Sequence, residues 1–206
     1  MTNSKLVCLV DDDDAVLDAL RLYLLSKGLE VQCFVSGEAF LEALDSGIAP
    51  VCLVTDVRMP GMSGLELQQE LNRRAKAFPT ILITGHGDVT MAVEAIKAGA
   101  LDFIEKPFNE HRLLTVILEA ITVASRQQID REEVAAIAVR VDELTERQRQ
   151  VMLLAVQGYS NKEIAVRLGI SPRTVETYRA WVMQRTGAQT LADLVRMAMR
   201  LEAGRK

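Results

Sequence analysis

Side chains able to bind a cation and a phosphate follow the predicted strands in the first part of the chain. There are five of them: Asp11 and Asp12 after the first strand, Asp56 after the third, Thr84 at the end of the fourth and Lys106 after the fifth. Because the carboxyl ends of parallel strands meet at one edge of a doubly wound sheet, we expect these side chains to lie close together. Three carboxylates crowded beside one lysine repel each other and favour a cation. Oxygen ligands with an open side are suited to Mg²⁺, which retains water and accepts phosphate oxygens.

The elements that must position these side chains are predicted from the periodicity of apolar residues in the first 125 residues. Strands are predicted at 6–10, 30–34, 51–55, 80–84 and 102–105. Helices are predicted at 16–27, 38–44, 65–75, 90–98 and 110–125. Five strand–helix units in succession predict a five-stranded parallel sheet covered by helices on both faces, which is a doubly wound α/β domain.

Charge is distributed unevenly along the chain, whose formal net charge is −4. Residues 1–124 carry 10 basic and 18 acidic side chains, whereas residues 142–206 carry 11 basic and 7 acidic ones. A basic segment joined to an acidic one favours a nucleic-acid partner for the basic part, the alternative being chance variation of the surface.

The composition excludes several classes of protein. Of the 206 residues 49% are hydrophobic, and no apolar run approaches the roughly 20 residues that a membrane helix needs. The acidic cluster begins too early in the chain for a signal peptide. The cysteines Cys8, Cys33 and Cys52 lie in apolar runs without a close pair, and we interpret them as buried side chains in a reducing compartment. We therefore expect a cytoplasmic protein with no membrane contact.

After residue 125 no strand pattern returns. Residues 126–141 contain no glycine or proline and predict a helical linker that continues the fifth helix. Helix-capping signals then predict four short helices in residues 142–206: Thr145 with Gln148, Ser160 with Glu163, Ser171 before Pro172, and Thr190 with Asp193. A tight turn at Gly169 separates the second of these helices from the third. This is the pattern of a small all-α helix-turn-helix domain.

The third of these helices has the features of a helix that enters the major groove of DNA. Its apolar residues Val175, Tyr178 and Val182 form a stripe predicted to be buried, and its opposite face is small and polar. The expected DNA contacts are Lys162, Arg167, Arg173, Thr174, Glu176, Thr177, Tyr178, Arg179, Ala180 and Gln184. Among them we expect the base readers around Glu176, Thr177 and Ala180; a solvated helix face is the alternative.

The segments VDDDD, DVRMPGMSG, ILITGHG and FIEKPF resemble the receiver domain of bacterial two-component response regulators over about residues 4–125. The resemblance implies a flavodoxin-like receiver in which Asp56 accepts a phosphoryl group from a sensor histidine kinase. It also implies a Mg²⁺ site formed by Asp11, Asp12, Asp56 and the backbone carbonyl of Arg58. The run of four aspartates leaves a register one residue later open, and we choose the first two because they follow the strand directly.

The same resemblance implies roles for residues around this acceptor. Lys106 supplies a positive charge to the phosphoryl group, and its bond to Pro107 is expected to be cis. Thr84 supplies a hydroxyl, and Phe103 is the aromatic residue that changes position with it when the protein switches. The alternative for Phe103 is a core aromatic residue of the fifth strand. His86 is a candidate for modulating hydrolysis, the alternative being a loop side chain.

Residues 144–187 resemble the LuxR-type DNA-binding domain, and the whole chain resembles the NarL/FixJ subfamily of response regulators. The resemblance implies a transcriptional activator that dimerises on phosphorylation, binds promoter DNA and acts on RNA polymerase. Leu191, Leu194 and Val195 of the fourth helix are expected to supply a contact between two DNA-binding domains.

Three other functions compete with this one. An aspartyl-phosphate phosphatase carries a second acid two residues after its nucleophile, but here that position is Arg58, so we predict that the chain is not an enzyme. A regulator that works without phosphorylation is disfavoured by the complete acceptor site. RNA binding is disfavoured because Trp181 and Tyr159 are isolated in the sequence and form no stacking platform.

Overall fold

The computed structural model describes residues 5–76, 78–85 and 89–203 of the chain. The chain divides into two compact units, Met1–Gln127 and Gln128–Lys206. Among the helices within the described ranges, none is long and apolar enough to cross a membrane. His86 lies outside the described residues.

The first unit alternates strands and helices in the predicted order. Its strands are β1 (Leu6–Val10), β2 (Glu30–Phe34), β3 (Cys52–Asp56), β4 (Thr80–Thr84) and β5 (Asp102–Glu105). Its helices are α1 (Asp14–Ser26), α2 (Gly37–Asp45), α3 (Gly64–Arg73), α4 (Val89–Lys97) and the first part of α5 (Glu110–Asp142). The strands pair in parallel in the order β2-β1-β3-β4-β5. The predicted doubly wound α/β fold is confirmed.

Side chains of β1 alternate between two apolar clusters, one on each face of the sheet. Val7 and Leu9 lie in the cluster that contains residues of α1 and α5. Cys8 and Val10 lie in the cluster that contains residues of α2 and α3. A strand that is apolar on both faces must be covered on both, and this explains why the central strands are continuous apolar runs.

The cysteines are free, as expected for apolar positions. Cys8 and Cys52 are fully buried, and burial raises the pKa of the Cys8 thiol to about 12. Burial likewise raises the pKa of Cys52. Cys33 is only partly buried. Two of the three side chains are therefore interior hydrophobic groups whose thiols stay protonated at neutral pH.

The second unit consists of helices and the turns between them, with no strand among its described residues. It contains the end of α5 and four further helices: α6 (Glu146–Val156), α7 (Asn161–Leu168), α8 (Pro172–Thr186) and α9 (Leu191–Ala203). Thr145 and Ser160 form the predicted capping boxes with Gln148 and Glu163. Thr190 and Asp193 bond reciprocally at the start of α9, and Ser171 caps α8.

The turn between α7 and α8 depends on Gly169. Its φ of 66° is in the left-handed region, and its N–H bonds to the carbonyl of Ala165 at the end of α7. Glycine adopts this conformation without a steric penalty, so the chain can end α7 and reach the Ser171 cap of α8 within two residues. The predicted helix-turn-helix arrangement is confirmed.

The segment predicted as a helical linker is helical and also contributes to a core. Ile137 and Val141 of α5 are buried in one cluster with Val182 of α8 and Leu194 of α9. The prediction that Leu194 supplies a contact between two chains is wrong, because its side chain is 2% exposed and fills this interior. Leu191, by contrast, is 41% exposed, and Val195 is partly buried.

Candidate functional site

The carboxyl ends of β1, β3 and β5 bring two carboxylates to one ammonium group. Lys106 Nζ donates to Asp11 Oδ2 at 2.8 Å and to Asp56 Oδ1 at 2.6 Å. The side chains of Asp11 and Asp56 are each 8% exposed, and that of Lys106 is 26% exposed. Three of the residues expected at this edge therefore form one hydrogen-bonded group.

The four consecutive aspartates after β1 have different environments. Asp11 is buried, and its Oδ1 accepts a hydrogen bond from the N–H of Asp13 at 3.0 Å. Asp13 in turn caps α1 by accepting from the N–H of Ala15 at 2.9 Å. Asp12 is exposed, and the structure does not bring its carboxylate to Lys106. Of the two acids expected here, Asp11 is therefore the one that faces the site.

Asp56 is the last residue of β3, and its second oxygen is held by the following loop. Its Oδ2 accepts from the N–H of Arg58 at 2.6 Å. The side chain of Arg58 is exposed, so this residue contributes to the site through its backbone. The carboxylate thus has Lys106 on one oxygen and a peptide N–H on the other, which fixes its orientation at the edge of the sheet.

Gly64 lets α3 begin close to Asp56. Its N–H donates to the carbonyl of Val57 at 3.1 Å, and a Cβ added at this position would lie 2.2 Å from the backbone oxygen of Asp56. Any side chain here would displace the strand end that carries the carboxylate. Gly64 ends the segment DVRMPGMSG, but no role was predicted for it. The available signal was a glycine directly after Ser63, which caps α3.

Lys106 remains charged at neutral pH. Burial lowers the pKa of Lys106, but hydrogen bonds and charges from Asp11 and Asp56 outweigh burial and raise that pKa above its ordinary value. The N–H of Lys106 donates to the carbonyl of Thr84 at 2.7 Å, so the strand pairing of β4 and β5 continues to the lysine. The bond between Lys106 and Pro107 is cis, as expected.

The donor set of this site is compatible with Mg²⁺. Asp11 and Asp56 supply two carboxylates, and Mg²⁺ in proteins is usually bound by one or two carboxylates together with water and phosphate oxygens. Within residues 5–76, 78–85 and 89–203, no group of three or more His, Cys, Asp or Glu side chains could hold a metal ion. Besides the two carboxylates, the ion would take a backbone carbonyl, water and phosphate oxygens as ligands.

Thr84 and Phe103 lie on neighbouring strands beside the site. Thr84 is the last residue of β4 and is fully buried. Phe103 pairs with Leu82 in the register of β4 and β5 and is partly buried. Its ring packs in a cluster that includes Met91 and Ala95 of α4. A displacement of this ring would therefore change the packing of α4.

Five of the eight residues of α8 expected to contact DNA are exposed to solvent. Val175 and Val182 are buried and Tyr178 is partly buried, as the predicted stripe requires. The exposed residues are Arg173, Glu176, Thr177, Ala180 and Gln184, whereas Thr174 is partly buried next to the Ser171 cap.

Two of the arginines expected to contact DNA are oriented by contacts within the second unit. Arg179 is partly buried and donates to Asn161 Oδ1 at 2.8 Å, which joins α8 to α7. The guanidinium of Arg167 lies 4.1 Å from the centre of the Tyr159 ring. Lys162 is exposed at the start of α7. These three cationic side chains come from both helices of the helix-turn-helix.

The prediction that Trp181 and Tyr159 are isolated is wrong. Tyr159 stacks with Arg167, and the Trp181 ring lies 5.5 Å from the Tyr178 ring in an edge-to-face arrangement. The sequence separates these pairs by eight and three residues, so their contacts follow from helix geometry and from the turn before α7. The absence of a stacking platform, on which the argument against RNA binding depends, stays a prediction.

Comparison with known proteins places both units in described families. The response regulator receiver domain family matches residues 7–118, and the luxR family of bacterial regulatory proteins matches residues 142–198. The transcriptional regulatory protein FixJ of Azorhizobium caulinodans is 47% identical over 202 residues, which are 97% of this chain and 94% of that protein. FixJ of Rhizobium meliloti is 48% identical over 197 residues, which are 94% of each protein.

Solved structures with both units are also similar. The response regulator StyR is 39% identical with a TM-score of 0.79 and is matched over 96% of this chain and 100% of that chain. Full-length FixJ from B. japonicum is 45% identical with a TM-score of 0.59, over 97% of this chain and 98% of that chain.

Proposed function

Because the chain belongs to the response regulators that join a receiver domain to a LuxR-type DNA-binding domain, as FixJ does, we propose that phosphorylation of Asp56 controls its binding to promoter DNA. The observation that carries this proposal is Lys106, which joins the carboxylates of Asp11 and Asp56 at the carboxyl edge of the sheet. We assign residues 1–125 to the receiver, 126–141 to the helical linker and 142–206 to the DNA-binding domain.

The chemical step is the transfer of a phosphoryl group from a histidine of the sensor kinase. Asp56 Oδ1 or Oδ2 attacks the phosphorus atom, the bond from phosphorus to the histidine nitrogen breaks, and that nitrogen keeps the electron pair and takes up a proton. Lys106 is already within 2.6 Å of Asp56, so its charge is in place to pair with a phosphoryl oxygen. Thr84 supplies a hydroxyl donor from the end of the neighbouring strand.

Mg²⁺, when bound, supplies charge neutralisation for the carboxylate and the transferred oxygens. Asp11, Asp56 and the backbone carbonyl of Arg58 would hold the ion, with Asp12 contributing from the exposed side. The hydrogen bond from the Arg58 N–H to Asp56 Oδ2 keeps this loop beside the carboxylate.

The side chain at position 58 argues for a regulator rather than an enzyme. Arginine does not release its proton near neutral pH, so it cannot activate water for rapid hydrolysis of the acyl phosphate. The phosphorylated form therefore persists long enough to act as a signal. A transcriptional regulator needs a long-lived phosphorylated form, whereas a phosphatase must hydrolyse its phosphorylated intermediate quickly.

Phosphorylation reaches the rest of the receiver through Thr84 and Phe103. The hydroxyl of Thr84 turns toward the new phosphoryl oxygens, and the Phe103 ring moves into the space that Thr84 leaves. Because that ring packs with residues of α4, its movement changes the surface formed by α4, β5 and α5. Two phosphorylated receivers then associate through this surface.

The dimer presents two copies of α8 to adjacent half-sites of promoter DNA. Lys162, Arg167, Arg173 and Arg179 bind phosphates and set the position of the helix. Thr174 and Tyr178 lie at the edge of the contact surface, and Glu176, Thr177, Ala180 and Gln184 face the bases. Bound in this way, the protein activates transcription by acting on RNA polymerase.

Mass spectrometry after incubation with acetyl phosphate and Mg²⁺ tests the proposed acceptor. We expect one phosphoryl group per chain in the wild type and none in Asp56→Asn. Asp18→Asn is the matched control, because Asp18 is an exposed residue of α1 and does not contact Lys106 in the part of the chain that the structure describes. Equal phosphorylation of wild type and Asp56→Asn would overturn the assignment.

A further inference from the structure

The C-terminal ends of α5 and α8 are joined by two hydrogen bonds that run in opposite directions. Arg140 of α5 donates from Nη1 to the carbonyl of Thr186, the last residue of α8, at 3.3 Å. Arg185 of α8 donates from Nη1 to the carbonyl of Glu143, the residue after α5, at 2.9 Å. Both bonds lie within the second unit.

These bonds satisfy groups that a helix leaves without a partner. The last carbonyls of a helix accept no hydrogen bond within it and carry the negative end of its dipole, so a guanidinium is a favourable partner. Gly187 follows Thr186 with a φ of 76°, and a Cβ there would lie 3.4 Å from Arg140 Nη1. Glycine at this position both ends α8 and leaves room for the arginine.

The side chains beneath these bonds hold the same two helices together. Ile137 and Val141 of α5 share an apolar cluster with Val182 on the buried side of α8. An ion pair between Glu133 of α5 and Arg200 also joins α5 to α9. The end of α5 therefore supports α8 from the side opposite to its polar face.

We infer that Arg140 and Arg185 are positioning residues for DNA binding, which fix the angle at which α8 presents its polar face without contacting DNA themselves. This inference rests on the proposed DNA-binding role of α8. Both side chains are exposed, so their removal leaves no cavity in the core. Arg140 on α5 therefore supports the end of α8, and Arg185 on α8 supports the end of α5.

DNA binding by full-length variants tests the inference. The probe is a sequence selected from a random library with the phosphorylated wild type, and a scrambled duplex serves as non-specific DNA. Arg140→Ala is expected to weaken specific binding about two- to tenfold, the amount that one such hydrogen bond contributes. Non-specific binding and the slope of log Kd against log salt are expected to stay unchanged. Arg140→Lys, which retains a donor and a charge, is expected to recover part of the loss.

Two further variants make the result decisive. Arg185→Ala removes the other link and is expected to give a similar loss, so the inference does not depend on one variant folding. Arg126→Ala removes the same charge from α5, where the structure gives the side chain no hydrogen bond or ion pair among its described residues, and is expected to match the wild type.

The inference is overturned if both alanine variants bind specific DNA as tightly as the wild type. It is also overturned if binding to both DNAs weakens equally and the salt slope falls by about 0.9, which indicates a direct phosphate contact. A wild type that selects no sequence from the library contradicts the proposed function instead.

Discussion

The consecutive aspartates from Asp11 to Asp14 have different roles. Asp11 faces Lys106, and Asp13 caps α1. The difference follows from the point at which β1 ends, because the first residue after the strand still lies over the sheet and the third lies at the start of the helix. Removing one partner of a buried ion pair leaves the other charge without compensation, which is destabilising. The burial of the Asp11 and Asp56 carboxylates therefore depends on Lys106.

The contribution of Lys106 to stability has a predictable pH dependence. Its folded pKa is raised, so the stabilisation is fully present below the unfolded pKa of about 10.4 and is lost as the pH rises through the folded pKa. We expect Lys106→Met to lower the free energy of unfolding by about 1–3 kcal/mol, and this difference from wild type to remain up to about pH 10.

Urea unfolding of both proteins between pH 6 and pH 11, without Mg²⁺, measures this difference. Lys76→Met is the control, because Lys76 is exposed and its side chain has no ion pair among the described residues. A difference that disappears between pH 6 and pH 8 would contradict the assigned charge of Lys106.

Gly64 is a position where one methyl group should impair the site. Gly64→Ala places a Cβ 2.2 Å from the backbone oxygen of Asp56, and a shift of the backbone is expected to cost about 1–3 kcal/mol. Phosphorylation by acetyl phosphate should slow as the carboxylate is displaced. Thermal unfolding compared with Gly85→Ala checks the first effect, since a Cβ at Gly85 meets no atom of the described residues within 4 Å. Equal stability of the two variants would argue against the close approach.

The residues that converge at the site could be predicted because strand ends of a parallel sheet share one edge. Asp11 and Asp56 follow apolar predicted strands and Lys106 follows the short predicted strand at 102–105, and this pattern is visible without coordinates. The role of Gly64 could not be predicted in this way. It depends on a distance between a helix start and a strand end that only the packed backbone determines.

Helix boundaries in the second unit are determined by short segments of sequence. Ser160 and Glu163 bond each other's backbone within four residues, and the same holds for Thr145 and Gln148, so both helix starts were predictable. The burial of Ile137 and Leu194 was not. Each becomes interior only because another helix packs against it, and the apolar alanines and valines beside Ile137 do not show which face of α5 is covered.

The capping box of α7 should make the second unit sensitive to acid. Hydrogen bonds from the side chain and backbone of Ser160 lower the pKa of Glu163, so its stabilisation is present above the unfolded pKa of about 4.3 and is lost as the pH falls through the folded pKa. Glu163→Gln should keep the capping box, because Gln148 forms the same kind of box at the start of α6. The variant should lose the pH dependence.

The thermal unfolding transition of the second unit, followed between pH 3 and pH 7, measures this effect. The wild type should lose more stability than Glu163→Gln on acidification. Parallel curves for the two proteins would show that the carboxylate does not contribute through its charge.

At the scale of the whole molecule, α5 is the element common to both units. It is one helix of 33 residues, with Leu113 and Ile117 in the core of the first unit and Ile137 and Val141 in a core of the second. A continuous helix can transmit a change at one end to the other only while its backbone hydrogen bonds are intact.

A flexible insertion in α5 should therefore uncouple phosphorylation from its effect on DNA binding. With Gly-Gly-Ser-Gly-Gly inserted after Gln127, we expect normal phosphorylation and normal basal DNA binding, but a greatly reduced effect of phosphorylation on that binding. The matched control is an insertion of seven helix-forming residues, about two turns, which keeps the helix and its phase. An unchanged response with the glycine-rich insertion would contradict a role for α5 continuity.

The most direct test of control by phosphorylation measures DNA binding and oligomeric state together, with and without acetyl phosphate and Mg²⁺, for wild type and Asp56→Asn. We predict that only the phosphorylated wild type dimerises and binds the selected sequence tightly, since Asp56→Asn has no carboxylate to accept the phosphoryl group. Equal binding and equal oligomeric state in all four samples would contradict phosphorylation of Asp56 as the control of DNA binding.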